Sequence, residues 1–271
     1  MTFTVLTAIV VILYSLSSAL VLRSLVRPTT TLASPQNRVL LLALISSLFF
    51  HGILLKLQIL GDTGLNLSFG YAMSLVMWVI TILYLIISLV RPATTIGAII
   101  LPLNVVTLII VIFLPSNTVI ASGTPLLHLH IATAILAYSL LALAGIQALL
   151  VNSQEKALHR HQARQINLHL PPLETMESLL FSMLLGGFIL LSLTLVSGVF
   201  FTEEIFGKKL VINHHIVLSS VAWLVFGMLL FGHWRWGWRG RNAVHWTIGG
   251  LSLLVLGYFG TKFVLEFMLS R

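Results

Sequence analysis

Eight apolar runs divide this chain, and its charged residues fall almost wholly in the gaps between them. The runs cover residues 3–22, 39–59, 69–90, 96–114, 126–150, 179–201, 212–232 and 244–268. A bilayer's hydrocarbon core, roughly 30 Å thick, is crossed by about 20 apolar residues in a helix. Backbone groups inside lipid must find their partners within the segment, so runs of this length are read as helices. The expected fold is therefore all-α: a polytopic membrane bundle of eight transmembrane helices, with 1–271 as a single integral-membrane domain. Only 8% of the residues are charged, against about 25% in soluble domains. The eight spans leave no room for a sizeable soluble domain.

The basic residues set an orientation. No basic residue precedes the first run, and Arg23 and Arg27 follow it, the reverse of a cleavable secretory signal. An uncleaved first span with its N-terminus outside puts Arg38, Arg91, Lys156, Arg160, Arg164, Arg235, Arg239 and Arg241 in inner loops with Arg23 and Arg27. The outer side keeps Lys56, Lys208, Lys209, Lys262 and Arg271. This bias is the one that bilayer insertion selects, and it places both termini on the outer side of the membrane. The net charge of +8 follows from these flanking residues, so it points to membrane lipid and not to nucleic acid. The chain has no cysteine, which excludes disulfides, iron–sulfur ligation, thiolate zinc sites and thioether links made by this chain.

Within this topology five histidines fall toward the outer face: His51, His128, His130, His214 and His215. His51 lies about 20 Å up from Arg38 at 1.5 Å per residue. His128 and His130 open the fifth span, and His214 and His215 open the seventh, with Asn213 as a candidate N-cap. Ionisable side chains at such depth are costly and mark functional sites. Residues three and four apart share a helix face. From His215 that face carries Ser219, Ala222 and Phe226; from His214 it carries Leu218, Val221 and Val225, a lipid-like set. His130 leads to Ala134, Ala137, Leu141 and Ala144, and His128 to Ala132, Ile135 and Ser139. Both of these last faces are small enough for close packing, so phase leaves the fifth span open.

Two imidazoles from separate helices are the donor set for a six-coordinate haem iron. Lys56, Lys262 and the Lys208–Lys209 pair are the outer cations for haem propionates. The competing reading is that helix-end histidines sit at the interface and bind nothing, with His51 a hydrogen-bonded bundle residue. Zinc is disfavoured, since a structural site wants four ligands and no thiol is present. Asn104 beside Pro102, and Gly249, Gly250, Gly257 and Gly260 in the last span, read as packing features. Trp234, Trp236, Trp238 and Trp246 with their arginines read as an inner interfacial belt. Residues 152–177 read as the longest loop. There is no phosphate-cradling glycine loop, HExxH or nucleophile elbow.

Four stretches carry a family resemblance: LHIATAILAYSLLALAGIQALL (129–150), HHIVLSSVAWLVFGMLLFG (214–232), GWRGRNAVHWTIGG (237–250) and LGYFGTKFVLE (256–266). They resemble the cytochrome c assembly protein family of the CcsA, CcmC and HemX type, and within it the YpjD-like inner-membrane branch, which LNLSFGYAMSLVMWVITILYLI (65–86) fits as well. The resemblance implies a bacterial inner membrane, whose outer side is periplasmic, and haem handling near that outer face. By position, the histidine eight residues before the fifth-span tyrosine, Tyr138, is His130, and the outer histidine of the seventh span is His215. These two are the implied axial ligands of a haem b, with His51, Lys56 and Lys262 as further candidates. The partners implied are haem-transfer or cytochrome maturation proteins.

The chain also departs from the family pattern. The outer loop TEEIFGKKLVI (202–212) has no tryptophan, so the tryptophan-rich motif of the haem-attaching members is missing. By this alignment the seventh-span intramembrane histidine falls on Phe231, two residues from His233, and none follows Glu266. What remains implied is a haem-binding protein that is not an enzyme. The alternative is a non-haem accessory or regulatory subunit, HemX-like, acting through protein partners. A transporter fits least, since no inverted repeat is evident.

Overall fold

The computed structural model describes residues 2–26, 31–61, 64–114, 119–121, 125–159, 171–206 and 214–264. Eight helices in it are long and apolar enough to cross a membrane, as the eight runs predict. The chain, read from sequence as one domain, gathers into two compact units: 1–122 with 157–172, and 123–156 with 173–271.

The first unit holds α1 (Thr2–Ser24), α2 (Arg38–Ile59), α3 (Phe69–Val90) and α4 (Thr94–Ile112). α1 packs on α2 and α4, and α3 packs on the same two, closing a four-helix ring. Leu44, Leu54, Ile100, Leu101 and Leu108 fill its interior, while Leu42, Phe49 and Leu57 of α2 stay exposed. Such an apolar outer surface is what a lipid-facing helix needs. Two hydroxyl groups inside the ring bond back to their own helix: Ser47 donates to the Ala43 carbonyl at 2.7 Å and Thr81 to that of Met77 at 2.8 Å. Trp78 Nε1 donates across to the Leu48 carbonyl at 2.9 Å and ties α3 to α2.

One end of this unit carries a small antiparallel sheet that the all-α expectation did not include. β1 (Leu60–Gly61) pairs with β2 (Gly64–Asn66), and β2 with β3 (Val119–Ala121). The register sets Leu60 opposite Leu65 and Leu65 opposite Ile120. Strands of two or three residues are too short to show the alternation that reveals a strand in sequence.

The second unit holds α5 (Pro125–His159), α6 (Leu173–Phe206), α7 (His214–Trp236) and α8 (Gly240–Val255). α5 and α6 run further than their apolar runs, which corrects the 152–177 loop at both ends. The added residues include Gln154, Glu155, Lys156 and Ala157, all good helix formers. α8 does not end at Val255. It continues through a π-turn (Leu256–Gly260) and a last α-turn (Thr261–Phe263). α7 packs on α6, on α8 and on the π-turn. A Cβ on Gly250 would stand 2.7 Å from Phe226 Cζ, so the α7–α8 contact requires glycine there. The α7–α8 turn uses Gly237 (φ 68°) and Gly240 (φ 55°), a left-handed conformation that a side chain disfavours.

Candidate functional site

His130 and His215 both belong to the second unit, at the end where α5 and α7 begin. Both are half-buried, whereas His128 and His214 are exposed. The two half-buried imidazoles lie within electrostatic reach of each other. The His215 face continues through Ser219, Ala222 and Phe226, all buried. The His130 face continues through Ala137, Leu141 and Ala144, also buried.

Each histidine has a backing that the sequence alone did not reveal. His130 Nδ1 stands 2.7 Å from Ser197 Oγ on α6. Ser197 Oγ also lies 3.0 Å from the Thr194 carbonyl, to which it can donate. A hydroxyl behind Nδ1 orients the ring, as the partners of ligating histidines do. A Cβ on Gly198 would come 3.4 Å from His130 Cε1, so α6 offers a hydroxyl and then a gap along one side of this ring. The signal available in sequence was the adjacent small pair Ser197–Gly198 within a long apolar run.

His215 meets the Tyr258 ring edge-on, with centroids 5.9 Å apart. Tyr258 sits in the π-turn, whose hydrogen bonds span one residue more than an α-turn and so shift the helix face. Such turns recur at functional sites, and no proline or charge announced this one. Tyr258 also lies 5.7 Å from the Tyr138 ring, and Lys262 Nζ lies 5.7 Å from the Tyr258 centroid. Tyr138 and Ser219 are buried. Their hydroxyl groups sit near one another, yet neither completes a hydrogen bond. A buried polar atom without a partner is unusual and calls for an explanation.

The other sequence candidates are placed as follows. His51 is fully buried in the first unit, with Nδ1 3.1 Å from Tyr14 Oη and Nε2 3.0 Å from Ser74 Oγ. Both ring nitrogens are taken by hydroxyl groups, as suits a hydrogen-bonded bundle histidine. Lys56 is exposed on α2 of that same unit. Asn104 is buried, and its amide donates 2.7 Å to Thr81 Oγ1. Lys208, Lys209, Asn213 and Glu266, with His161 and His169, lie outside the described residues. His233 and His245 belong to the opposite end of the second unit, where His233 Nδ1 donates to the Trp238 carbonyl at 2.8 Å.

The donor set fits a haem better than a bare metal ion. Among the described residues no three His, Cys, Asp or Glu side chains gather as a metal site, and a bare zinc needs three or four protein ligands. A porphyrin brings four nitrogens of its own and leaves two positions for imidazoles. The unpartnered Tyr138 and Ser219 hydroxyls add polar atoms beside this pair.

Fold and site define a multi-pass helical membrane protein whose second unit carries two half-buried histidines, His130 and His215, at one end. Residues 40–269 match the family described as Cytochrome C assembly protein, and the chain belongs to that family. It is 30% identical over 254 residues to the inner membrane protein YpjD of Escherichia coli, covering 93% of this chain and 94% of that one. It is 23% identical over 159 residues to protein HemX of Brevibacillus brevis, covering 57% and 58% of the two chains. It is 22% identical over 213 residues to the cytochrome c biogenesis protein CcsA of Prochlorococcus marinus, covering 69% and 68%. No solved structure matches significantly.

Proposed function

We propose that this chain is a haem-binding protein of the bacterial inner membrane, holding haem b between His130 and His215 near the periplasmic face. The observation that carries this reading is that α5 and α7 each present one half-buried histidine at the same end of the second unit, His130 and His215, while their neighbours His128 and His214 are exposed. His130 Nδ1 is backed by Ser197 Oγ at 2.7 Å, as a ligating imidazole usually is. Lys262, at the same end of α8, is the cation for a propionate. A bound haem supplies iron chemistry or is itself the cargo. The protein's part is to hold two neutral imidazoles on stiff helices and exclude water. Residues 202–212 include no tryptophan, which supports holding haem without attaching it to apocytochrome, and the relative named cytochrome c biogenesis protein CcsA supports a place alongside cytochrome maturation or haem-transfer proteins.

The test is spectroscopic. The full chain, purified and loaded with haem, is expected to show a Soret band and a low-spin spectrum. His130→Ala and His215→Ala each convert it to high spin or lose it, and His128→Ala and His214→Ala leave it intact. A chain that folds yet takes up no haem overturns the reading.

A further inference from the structure

At the end of the second unit that carries the α7–α8 turn, a cleft of about 590 Å³ opens between α6 and α7. Its mouth carries Glu174, Glu177 and Arg239, and its wall includes Phe181 and His233. These two rings stack with centroids 3.4 Å apart at an interplanar angle of 14°, and His233 is held in place by its bond to the Trp238 carbonyl. Leu185 and Leu230 form the apolar far part. From Glu174 to Leu185 the helix runs roughly 16 Å at 1.5 Å per residue, so the cleft extends from charge at its mouth to hydrocarbon well down the span.

Two further features fix what fits. The mouth lies at the level of Trp234, Trp236 and Trp238, and Trp236 and Trp238 stack at 5.8 Å. Tryptophan clusters of this kind mark the headgroup layer. The mouth also holds both signs of charge. Glu177 Oε1 accepts the Gly240 N–H at 3.0 Å, which sets its carboxylate next to Arg239, yet among the described residues Arg239 and Glu174 form no ion pair. Carboxylates and a guanidinium left unneutralised by each other match a ligand that carries a cation and an anion a few bonds apart above apolar tails.

We propose that this cleft binds one phospholipid with a primary-ammonium headgroup. The ammonium donates to Glu174 and Glu177, the phosphate takes Arg239, and an acyl chain lies along Phe181, Leu185 and Leu230. A trimethylammonium headgroup has no N–H to donate, and a glycerol headgroup has no cation, so either is a poorer ligand. The proposal stands apart from haem binding, since none of its residues belongs to the histidine pair.

Native mass spectrometry of the full chain released from nanodiscs tests it, with phosphatidylethanolamine, phosphatidylcholine and phosphatidylglycerol at equal mole fractions. One phosphatidylethanolamine is expected to be retained about tenfold over either competitor, the scale of a charge-assisted hydrogen bond. Glu174→Gln, on an exposed side chain, should erase most of that preference while leaving the thermal unfolding midpoint unchanged. Glu177→Gln keeps an acceptor for Gly240 and should lower the preference as well. Arg239→Gln should weaken retention of all three lipids. Equal retention of the three, a preference for phosphatidylglycerol, or a Glu174→Gln variant with unaltered selectivity overturns the proposal.

Discussion

Ser197 Oγ stands 2.7 Å from His130 Nδ1 and 3.0 Å from the Thr194 carbonyl. The hydroxyl therefore backs the imidazole and orients its ring. Hydrogen-bond partners behind a ligating histidine typically carry about 10–100-fold in metal affinity. Ser197→Ala is accordingly expected to weaken haem retention on that scale and to shift the midpoint potential. Ser197→Thr, which keeps the hydroxyl, should restore both. Haem titration and potentiometry read the two effects. Unchanged affinity and potential in Ser197→Ala would remove the hydroxyl from the site.

Gly250 packs so closely on Phe226 that any side chain there collides with the ring. Overpacking of a tight contact costs about 1–3 kcal/mol. Gly250→Ala should lower thermal stability in detergent by that order, and Gly250→Ala with Phe226→Leu should recover most of the loss. If the single variant melts like the parent, the α7–α8 contact is looser than the geometry states.

Helix number and phase were legible because both come from side-chain polarity alone. The eight runs became eight helices, and the pattern Ser219, Ala222, Phe226 put the buried face of α7 under His215. Features that depend on how backbones meet were hidden. The π-turn around Tyr258 is an insertion of one residue into a hydrogen-bond ladder, and nothing in LGYFG prescribes it. Ser197 was invisible as a partner of His130 because the two are far apart in sequence and their pairing depends on the α5–α6 crossing. The three short strands escaped for want of length. The ends of α5 and α6 were misplaced because polar helix turns beyond an apolar run carry no hydrophobic signal.

Arginine and lysine placement makes a separate claim about sidedness. Ten of the fifteen basic residues fall in the loops assigned to the inside, and such bias orients spans during insertion. A periplasm-active reporter fused after Arg271 should be active, and a cytoplasm-active reporter at the same place silent. The reverse pattern would invert the bundle and set the histidine pair at the cytoplasmic face.

His51 separates structural from ligating histidine. Its ring bridges Tyr14 at 3.1 Å and Ser74 at 3.0 Å, fully buried in the first unit. A neutral imidazole has one donor and one acceptor, so these two contacts use both. His51→Ala would leave two buried hydroxyl groups unmatched and open a cavity, at a cost of roughly 2–4 kcal/mol. The variant should therefore unfold at lower temperature while binding the same amount of haem per folded molecule, with an unaltered low-spin spectrum. Thermal melts beside haem quantification discriminate the two roles. Loss of haem from a variant that melts normally would make His51 a ligand and displace one of the pair assigned to the second unit.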